Sequence, residues 1–514
     1  MIILSLLHMS ELSEKDIKQI KNKGISISEV ETQISNFKRG FPFSKLLFAA
    51  VPKKGIIQLS DKLVDHYQDF FSKKAENIKV TKFVPASGAA SRMFKHLFEF
   101  RESLNTSTYE NLKLSNEHNK AIEFFNNINN FAFSEELNSL VNINDYSSIT
   151  EYTKDVLDML LTAKGMNYAQ LPKALLKFHK YTKSSRKAIE EHLVEAAEYA
   201  NNNSIASLHF TVSPNHLQLF KTELNDLVPS YEYIYEVKYD IEFSTQKSST
   251  DTIAADINNE PFRDNNGDIV FRPGGHGALI ENLNEIDADI IFIKNIDNVA
   301  SDTKNETTIL YKRTLGGLAI KFQEIIFEIV SIIDKRTGFD KAEEFIVKAL
   351  GLEIPDAYNS YDDDEKYQYL KAKLNRPLRI CGVVQNDGEP GGGPFWVEKN
   401  GNISLQIVES SEVDLNDKEQ KEIMQESTHF NPVDLVCCIK DYQGNKFNLS
   451  KYIDYNSAFI SNKSKDGKIL KAMELPGLWN GAMAFWNTIF VEVPIETFNP
   501  VKTVNDLLKD MHID

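Results

Sequence analysis

The chain has 514 residues, 42% hydrophobic and 26% charged, with a formal net charge of −16. That composition is globular with ample material for a core, and at roughly 100–200 residues per domain the length fits several structural units or one large decorated α/β unit. So acidic a surface repels phosphate polymers and anionic lipid, which excludes a general nucleic-acid or membrane-surface binder; a phosphate ligand would need a local basic pocket.

The three cysteines, Cys381, Cys437 and Cys438, form no disulfide framework and no C-x-x-C pair, so the expected compartment is reducing and cytoplasmic. The apolar run Met1–Leu7 has no basic flank and is too short to span a bilayer, and Met9 is an alternative start.

In chain order, Ser13-x-x-Asp16 opens a helix that Gly24 closes. Ser28-x-x-Glu31 opens a second, with Val30, Ile34 and Phe37 on one face and Gly40 beyond it. Residues 1–78 read as a mostly helical section. Lys82–Pro85 reads as a short buried strand feeding the small-residue loop Ala86–Arg92. Residues 94–165, rich in Asn, Glu and Lys with helical spacing at Leu157, Leu160 and Leu161, read as a helical insertion. Leu171-Pro172-Lys173 follows, then a helix through Ile189, Leu193, Val194 and Ala197, entered from Ser184-Ser185. Ser207–Val212 is a strand, His216–Leu227 a helix and Tyr231–Phe243 a strand. Asp289–Ile296 is a strand ending at Asp297, and Leu315–Ile333 a long apolar helix. Asp362–Glu365 reads as a solvated acidic loop; Arg379–Val384, Leu405–Val408 and Val433–Ile439 are further strands, the last holding Cys437 and Cys438 as core thiols. Strands alternating with helices predict an α/β fold with a mostly parallel twisted sheet flanked by helices. The units read as 1–78, a core of 79–440 carrying the insertion, and 441–514.

Several segments carry candidate chemistry. Small residues after a strand, Ser87, Gly88 and Ala89, let backbone approach a phosphate, with Arg92 supplying charge; a plain turn is the structural alternative. Asp297-Asn298 closes a strand where α/β sheets bind ligands, though an Asx turn would use the same residues. Phe271–Leu279 contains Pro273-Gly274-Gly275-His276-Gly277, which is equally a tight turn with a solvent-facing His276. Asn386–Pro394 is glycine-rich but lacks G-K-[ST], so it is a lid or turn and not a Walker loop.

At the C-terminus, Phe498-Asn499-Pro500-Val501-Lys502-Thr503, followed by Asp506-Leu507-Leu508, resembles the lysine motif F-x-P-V-K-T-x-x-D-L-L of the UDP-sugar pyrophosphorylases. Other segments fit that family in order. Ser91-Arg92 matches the end of its G-x-G-T-R loop with only one glycine kept. Pro172-Lys173 matches its P-K-G-L, with Ala174 in place of glycine. Gln246 and the 273–277 loop match its uracil cradle, with His276 replacing asparagine. Asp297-Asn298 matches its D-N, Cys381–Val384 its V-G-V-V, Ile407–Glu412 its V-V-E-Y-S-E, His429–Asn431 its asparagine strand, and Asn480–Phe485 its A-M-G-A-A-I helix.

The resemblance implies a GT-A-like nucleotidyltransferase fold and transfer of uridylyl from UTP to a sugar 1-phosphate. Arg92, Lys173 and Lys502 would serve the phosphates, with Ser87, Gly88 and Ala89 cradling them. Asp297 would hold Mg2+. Gln246, Gly274, Gly275 and His276 would take uracil, and Gly382, Glu409 and Asn431 the sugar. The rivals are a nucleotide-sugar glycosyltransferase, for which Asp287-Ala-Asp289 has the D-x-D spacing although it precedes its strand, and a non-catalytic nucleotide-sugar sensor.

Overall fold

The computed structural model describes residues 12–513 apart from 387, 389–391, 400 and 466. Met1–Leu7 and Met9 lie outside the described residues, as does much of the glycine-rich run 386–394. Eleven strands matter here. They are β1 (Lys45–Ala49), β2 (Gly55–Ile57), β3 (Val80–Pro85), β4 (Ile205–Val212), β5 (Lys238–Thr245) and β6 (Ile290–Ile293), then β7 (Leu378–Gln385), β8 (Gly393–Lys399), β9 (Asn402–Val408), β10 (His429–Cys438) and β11 (Asn487–Glu492). The main sheet runs β2-β11-β7-β10-β6-β3-β4-β5, with short strands at its margins. All these neighbours are parallel except β10, which is antiparallel to both β7 and β6. The expected mostly parallel α/β architecture is therefore present. Its central strands are apolar runs because both faces are covered, one by long helices and the other by β9, the short helix Ile280–Leu283 and the 478–486 segment; β3, β6, β7 and β10 are buried almost end to end.

Register brings the chemistry-bearing loops together. Ile293 of β6 pairs with Phe83 of β3, and Pro85 of β3 with Thr211 of β4, so the loops leaving β3 and β6 emerge side by side. Helix α6 (Glu306–Ile333) packs along α3 (Asp61–Ala75). Gly316 and Gly317 permit that approach. A Cβ on Gly317 would lie 2.0 Å from the Tyr67 carbonyl oxygen, and one on Gly316 2.6 Å from the Phe71 ring. Each glycine costs about 1 kcal/mol of helix propensity, which the closer packing offsets. Among the described residues no helix is long and apolar enough to cross a membrane.

Residues 90–161 are helical, as expected, with their own core of Phe94, Phe100, Phe124, Phe131, Phe133 and Leu160. That core also contains Val501, Val504 and Leu507, so insertion and C-terminal motif pack as one body. The tail beyond them is fastened as well: His512 Nδ1 lies 2.8 Å from His179 Nε2, and Ser301 N–H donates to the Met511 carbonyl. Residues 459–465 pair with 468–474, which pair in turn with 252–255, and α1 (Glu14–Asn22) and α2 (Ile27–Arg39) pack on that small sheet.

Several expectations are corrected. Residues 12–78 are mostly helical, as read, but they also supply strands the sequence reading left out: β1 joins a three-stranded sheet with β8 and β9, and β2 joins the main sheet. The second helix is capped by Ser26, whose hydroxyl accepts from Glu29 N–H, and not by Ser28. Ser184-Ser185 belong to a hairpin pairing 177–180 with 185–187, and α4 (Ala188–Tyr199) starts after it. Helix α5 (Leu217–Tyr235) runs through Pro229, so Tyr231–Tyr235 are helical and β5 starts at Lys238. The acidic run 362–365 is the start of α7 (Asp363–Leu374): Asp362 accepts from Glu365 N–H, and the following carboxylates face the positive end of the helix dipole. Residues 481–483 form a single 3-10 turn and not the expected helix.

Candidate active site at the strand ends

The loop after β3 meets the Pro172-Lys173 segment directly, although the insertion separates them in sequence. Ala89 bridges Pro172, Ala90 N–H donates to the Leu171 carbonyl at 3.0 Å, and Lys173 N–H to the Gly88 carbonyl at 3.4 Å. Ser87, Gly88 and Ala89 are exposed, and their N–H groups donate to no protein group among the described residues. A Cβ on Gly88 would meet nothing within 4 Å. This is an open backbone edge, chemically suited to an oxyanion.

Lys173 joins that edge to the next two segments. Its Nζ donates to Asp297 Oδ2 at 2.7 Å and to the Val501 carbonyl at 2.6 Å. The pair is partly open, with side-chain exposures of 16% and 20%. The loop after β6 and the C-terminal motif are further clamped together: Val501 N–H donates to the Asp297 carbonyl at 3.1 Å, Asn499 N–H to Asn298 Oδ1 at 2.7 Å, and Asn298 bridges Pro500. Asp506 closes the turn around Lys502, accepting from the N–H groups of Lys502 and Thr503 at 3.0 and 2.7 Å. The Lys502 side chain is exposed, its Nζ 6.0 Å from the Phe498 ring centre. Arg92 sits in the 3-10 turn after the loop; its exposed guanidinium forms no ion pair or hydrogen bond among the described residues. Four segments widely spaced in the chain thus share one location, bound directly through Lys173.

Among the described residues Asp297 is the carboxylate joined to Lys173, Asp506 being committed to the Lys502 turn and to Lys509, and no group of three His, Cys, Asp or Glu side chains able to hold a metal occurs. Asp297 Oδ2 takes the Lys173 ammonium, while among the described residues no side-chain or backbone donor reaches Oδ1. A lone carboxylate fits Mg2+ only where substrate phosphates and water complete the octahedron.

Beneath these loops lies a buried ionic cluster that sequence reasoning missed. Glu195 on α4 receives Lys82 of β3 at 2.8 Å, Lys294 at 2.6 Å and the Tyr199 hydroxyl at 2.7 Å. Lys82 also reaches the His192 carbonyl, and His192 Nε2 donates to the Ile296 carbonyl, next to Asp297. Burial pushes Lys82 down to about 8. Burial would raise Glu195, but Lys294 and Lys82 hold it well below the usual range. Lys312 of α6 pairs with Asp434 of β10 nearby, both fully buried. The only sequence signal was a lysine within each of two apolar strand segments, Val80–Pro85 and Ile290–Ile296.

The expected uracil and sugar residues have mixed fates. Gln246 follows β5 and reaches Thr250 Oγ1 at 3.4 Å, while a Cβ on Gly274 would lie 2.5 Å from the Thr250 carbonyl, so glutamine and loop share a neighbour. Gly275 has φ +78°, a conformation that favours glycine. His276 is not solvent-facing: it stacks on Trp479 at 4.4 Å, and its Nδ1 accepts from Leu478 N–H at 3.1 Å. Burial pushes its pKa down to about 4.

Asn431 and Gly382 are corrections. The Asn431 amide donates to the Gly382 carbonyl at 2.9 Å and accepts from Val433 N–H at 3.0 Å, bracing the kink at Val433, whose φ is +60°. Both residues are buried and committed to one another instead of facing a sugar. Glu409 is half-buried beside Glu412, whose Oε2 accepts from Glu409 N–H and from Asn480 Nδ2. Burial raises the Glu409 pKa and pushes Glu412 up to about 7. The D-x-D candidate is also corrected: Asp287 and Asp289 both pair with Lys440, Asp289 also accepts from Lys79 N–H, and both precede β6.

Residues 13–513 match the family model described as domain of unknown function DUF4301. The chain belongs to the DUF4301 family. No curated protein matches it in sequence. Among solved structures, this DUF4301 chain is similar to the uridine diphosphate N-acetylglucosamine pyrophosphorylase of Trypanosoma brucei, at 10% identity and a TM-score of 0.49, covering 96% of this chain and 79% of that one. It is also similar to the UDP-glucose pyrophosphorylase of Leishmania major in complex with UDP-glucose, at 13% identity and TM-score 0.43, covering 98% and 79%.

Proposed function

We propose that the protein catalyses nucleotidyl transfer from a nucleoside triphosphate, UTP in the first instance, to a sugar 1-phosphate. The observation that carries this reading is Lys173: one ammonium group tied to both a strand-end carboxylate and the C-terminal lysine motif, beside an open row of backbone N–H groups. The reaction needs no protein nucleophile. A phosphate oxygen of the sugar 1-phosphate attacks the α-phosphorus, the bond to the bridging oxygen breaks, and pyrophosphate departs. The protein's task is to gather two anions and to neutralise charge that grows at the transition state.

Lys173 has three N–H donors and uses two, so the third is available to a phosphate oxygen. Ser87, Gly88 and Ala89 supply backbone donors, with Arg92 and Lys502 as the exposed cations flanking them. Asp297 would hold Mg2+ together with the substrate phosphates, and that ion would supply charge neutralisation at the α-phosphate. Gln246 and the 274–276 loop take the base, and Glu409 the sugar hydroxyls.

The test is a panel of nucleoside triphosphates against sugar 1-phosphates with magnesium, scoring pyrophosphate. Release with one pair, reduced on the order of a hundredfold in Lys173→Ala, is the expected result. Tight binding of a nucleotide sugar with no pyrophosphate from any pair would overturn it in favour of a sensor.

A further inference from the structure

A carboxylate and two imidazoles stand in line behind the loop that carries Asp297. Glu191 of α4 accepts from His179 Nδ1 at 2.9 Å, and His179 Nε2 lies 2.8 Å from His512 Nδ1. The order carboxylate, imidazole, imidazole is that of a proton relay. Yet Glu191, His179 and His512 are 1%, 0% and 1% exposed, so none of them can touch a substrate. Whatever this chain of groups does, it does through what it holds.

It holds two segments of the proposed active site. On one side Glu191 also accepts from the Tyr181 hydroxyl at 2.7 Å and from Arg186 at 3.4 Å. Arg186 reaches on to Asp302 at 3.0 Å, and the Tyr181 hydroxyl accepts from Asp302 N–H at 2.8 Å. Asp302 belongs to the loop that leaves Asp297. On the other side His512 belongs to the stretch that follows the lysine motif, and its ring lies against the backbone of Asn499 within that motif. This stretch is tied along its length. The Met511 carbonyl accepts from Ser301 N–H at 2.9 Å, Lys304 Nζ donates to the Asp510 and Ile513 carbonyls at 2.6 and 2.5 Å, and Ile513 bridges Lys180. The loop is thus gripped twice by residues 499–513: by Asn499–Val501 at Asp297 and Asn298, and by Asp510–Ile513 at Ser301 and Lys304. Removing the His512 ring would leave His179 Nε2 buried without its partner, which a packed interior tolerates poorly.

We propose that Glu191, His179 and His512 are positioning residues that fix the 499–513 stretch and, through it, the spacing of Asp297, Lys173 and the Val501 carbonyl. This role presupposes the proposed transfer reaction. A displacement of ~1 Å at such a site costs on the order of a hundredfold in rate.

Hydrogen exchange and kinetics test it together. In His512→Ala the Asn499 and Val501 amides, which donate to Asn298 Oδ1 and to the Asp297 carbonyl, should exchange at least about tenfold faster, with the amides of β4 unchanged. The kcat should fall at least about tenfold while KM for the nucleoside triphosphate moves less than about threefold, since Gln246 and the 274–276 loop lie outside the gripped stretch. His512→Asn, whose amide still reaches toward His179 Nε2, should bring both readouts back most of the way to the parent. If His512→Ala does not fold, Lys304→Met, at a half-buried position, removes the second grip and should speed the same two amides several-fold. Unchanged exchange in His512→Ala and Lys304→Met, or an equal acceleration in β4, would overturn the proposal. So would a parental kcat alongside faster exchange, or a loss in His512→Asn as large as in His512→Ala. A parent without turnover on any substrate pair would overturn the transfer reaction and the positioning role with it, while the exchange readout would still decide whether the imidazole pair holds the stretch.

Discussion

Two lysine–carboxylate arrangements stand one above the other on β6 and its continuation. Lys294 and Asp297 are three residues apart, yet Lys294 is locked with Lys82 onto Glu195 in a fully buried cluster, whereas Asp297 holds Lys173 at a half-open rim. The charged groups are the same. Burial decides their use: in the lower cluster both Glu195 oxygens are filled by Lys82, Lys294 and Tyr199 and the groups are shut from solvent, whereas the upper pair stays partly open beside the loop. A buried ion pair holds elements in place and is costly to break, while an exposed one contributes little to stability and stays free for chemistry.

The sharpest way to break that contrast is Glu195→Gln, which leaves two buried lysines without a counter-charge and should cost about 3–5 kcal/mol in equilibrium unfolding. A loss below ~1 kcal/mol would mean that the lower cluster is not held by charge. Lys173→Ala should do the reverse, with a stability change below about 1 kcal/mol for a partly exposed pair and the large loss of turnover described above. A third comparison uses pH. His276 has a folded pKa of about 4 against an ordinary value of 6.5, so the unfolded chain binds more protons between these values. Stability should therefore rise with pH across that window and fall on acidification, by about 2 kcal/mol at pH 5 relative to pH 8. Glu412, raised to about 7, works in the opposite sense over much of the same range, so the measurement is the stability of the parent minus that of His276→Asn, which should rise with pH across the window. The smallest effect belongs to a carboxylate with neither role: Asp362→Ala should cost about 1 kcal/mol as a lost helix cap and leave any activity unchanged.

The long central strands and the 94–165 insertion were legible in the sequence because continuous apolar runs and 3.6-residue spacing each have one strong reading. The meeting of Lys173, Asp297 and the Val501–Lys502 segment was legible only through motif order. What stayed hidden was tertiary. Strand β1 and the 177–187 hairpin are short and half-buried, so they carry little pattern. Lys82 reads as a surface lysine until Glu195, 113 residues later, is placed against it. Asn431 looked like a sugar ligand because an asparagine at a strand end serves a backbone kink and a polyol equally well, and only the filled hydrogen bonds to Gly382 and Val433 separate the two.

The seating of Val501, Val504 and Leu507 in the core of the 94–161 helices has a consequence for how the protein is made. Those helices leave the ribosome early, but the side chains that complete their interior come some 340 residues after Leu161. At about 5–20 residues per second, that leaves an apolar face uncovered on the order of tens of seconds during synthesis. The nascent chain therefore depends on something else to shield that face, and the proposed active site cannot assemble before residues 499–507 have emerged from the ribosome.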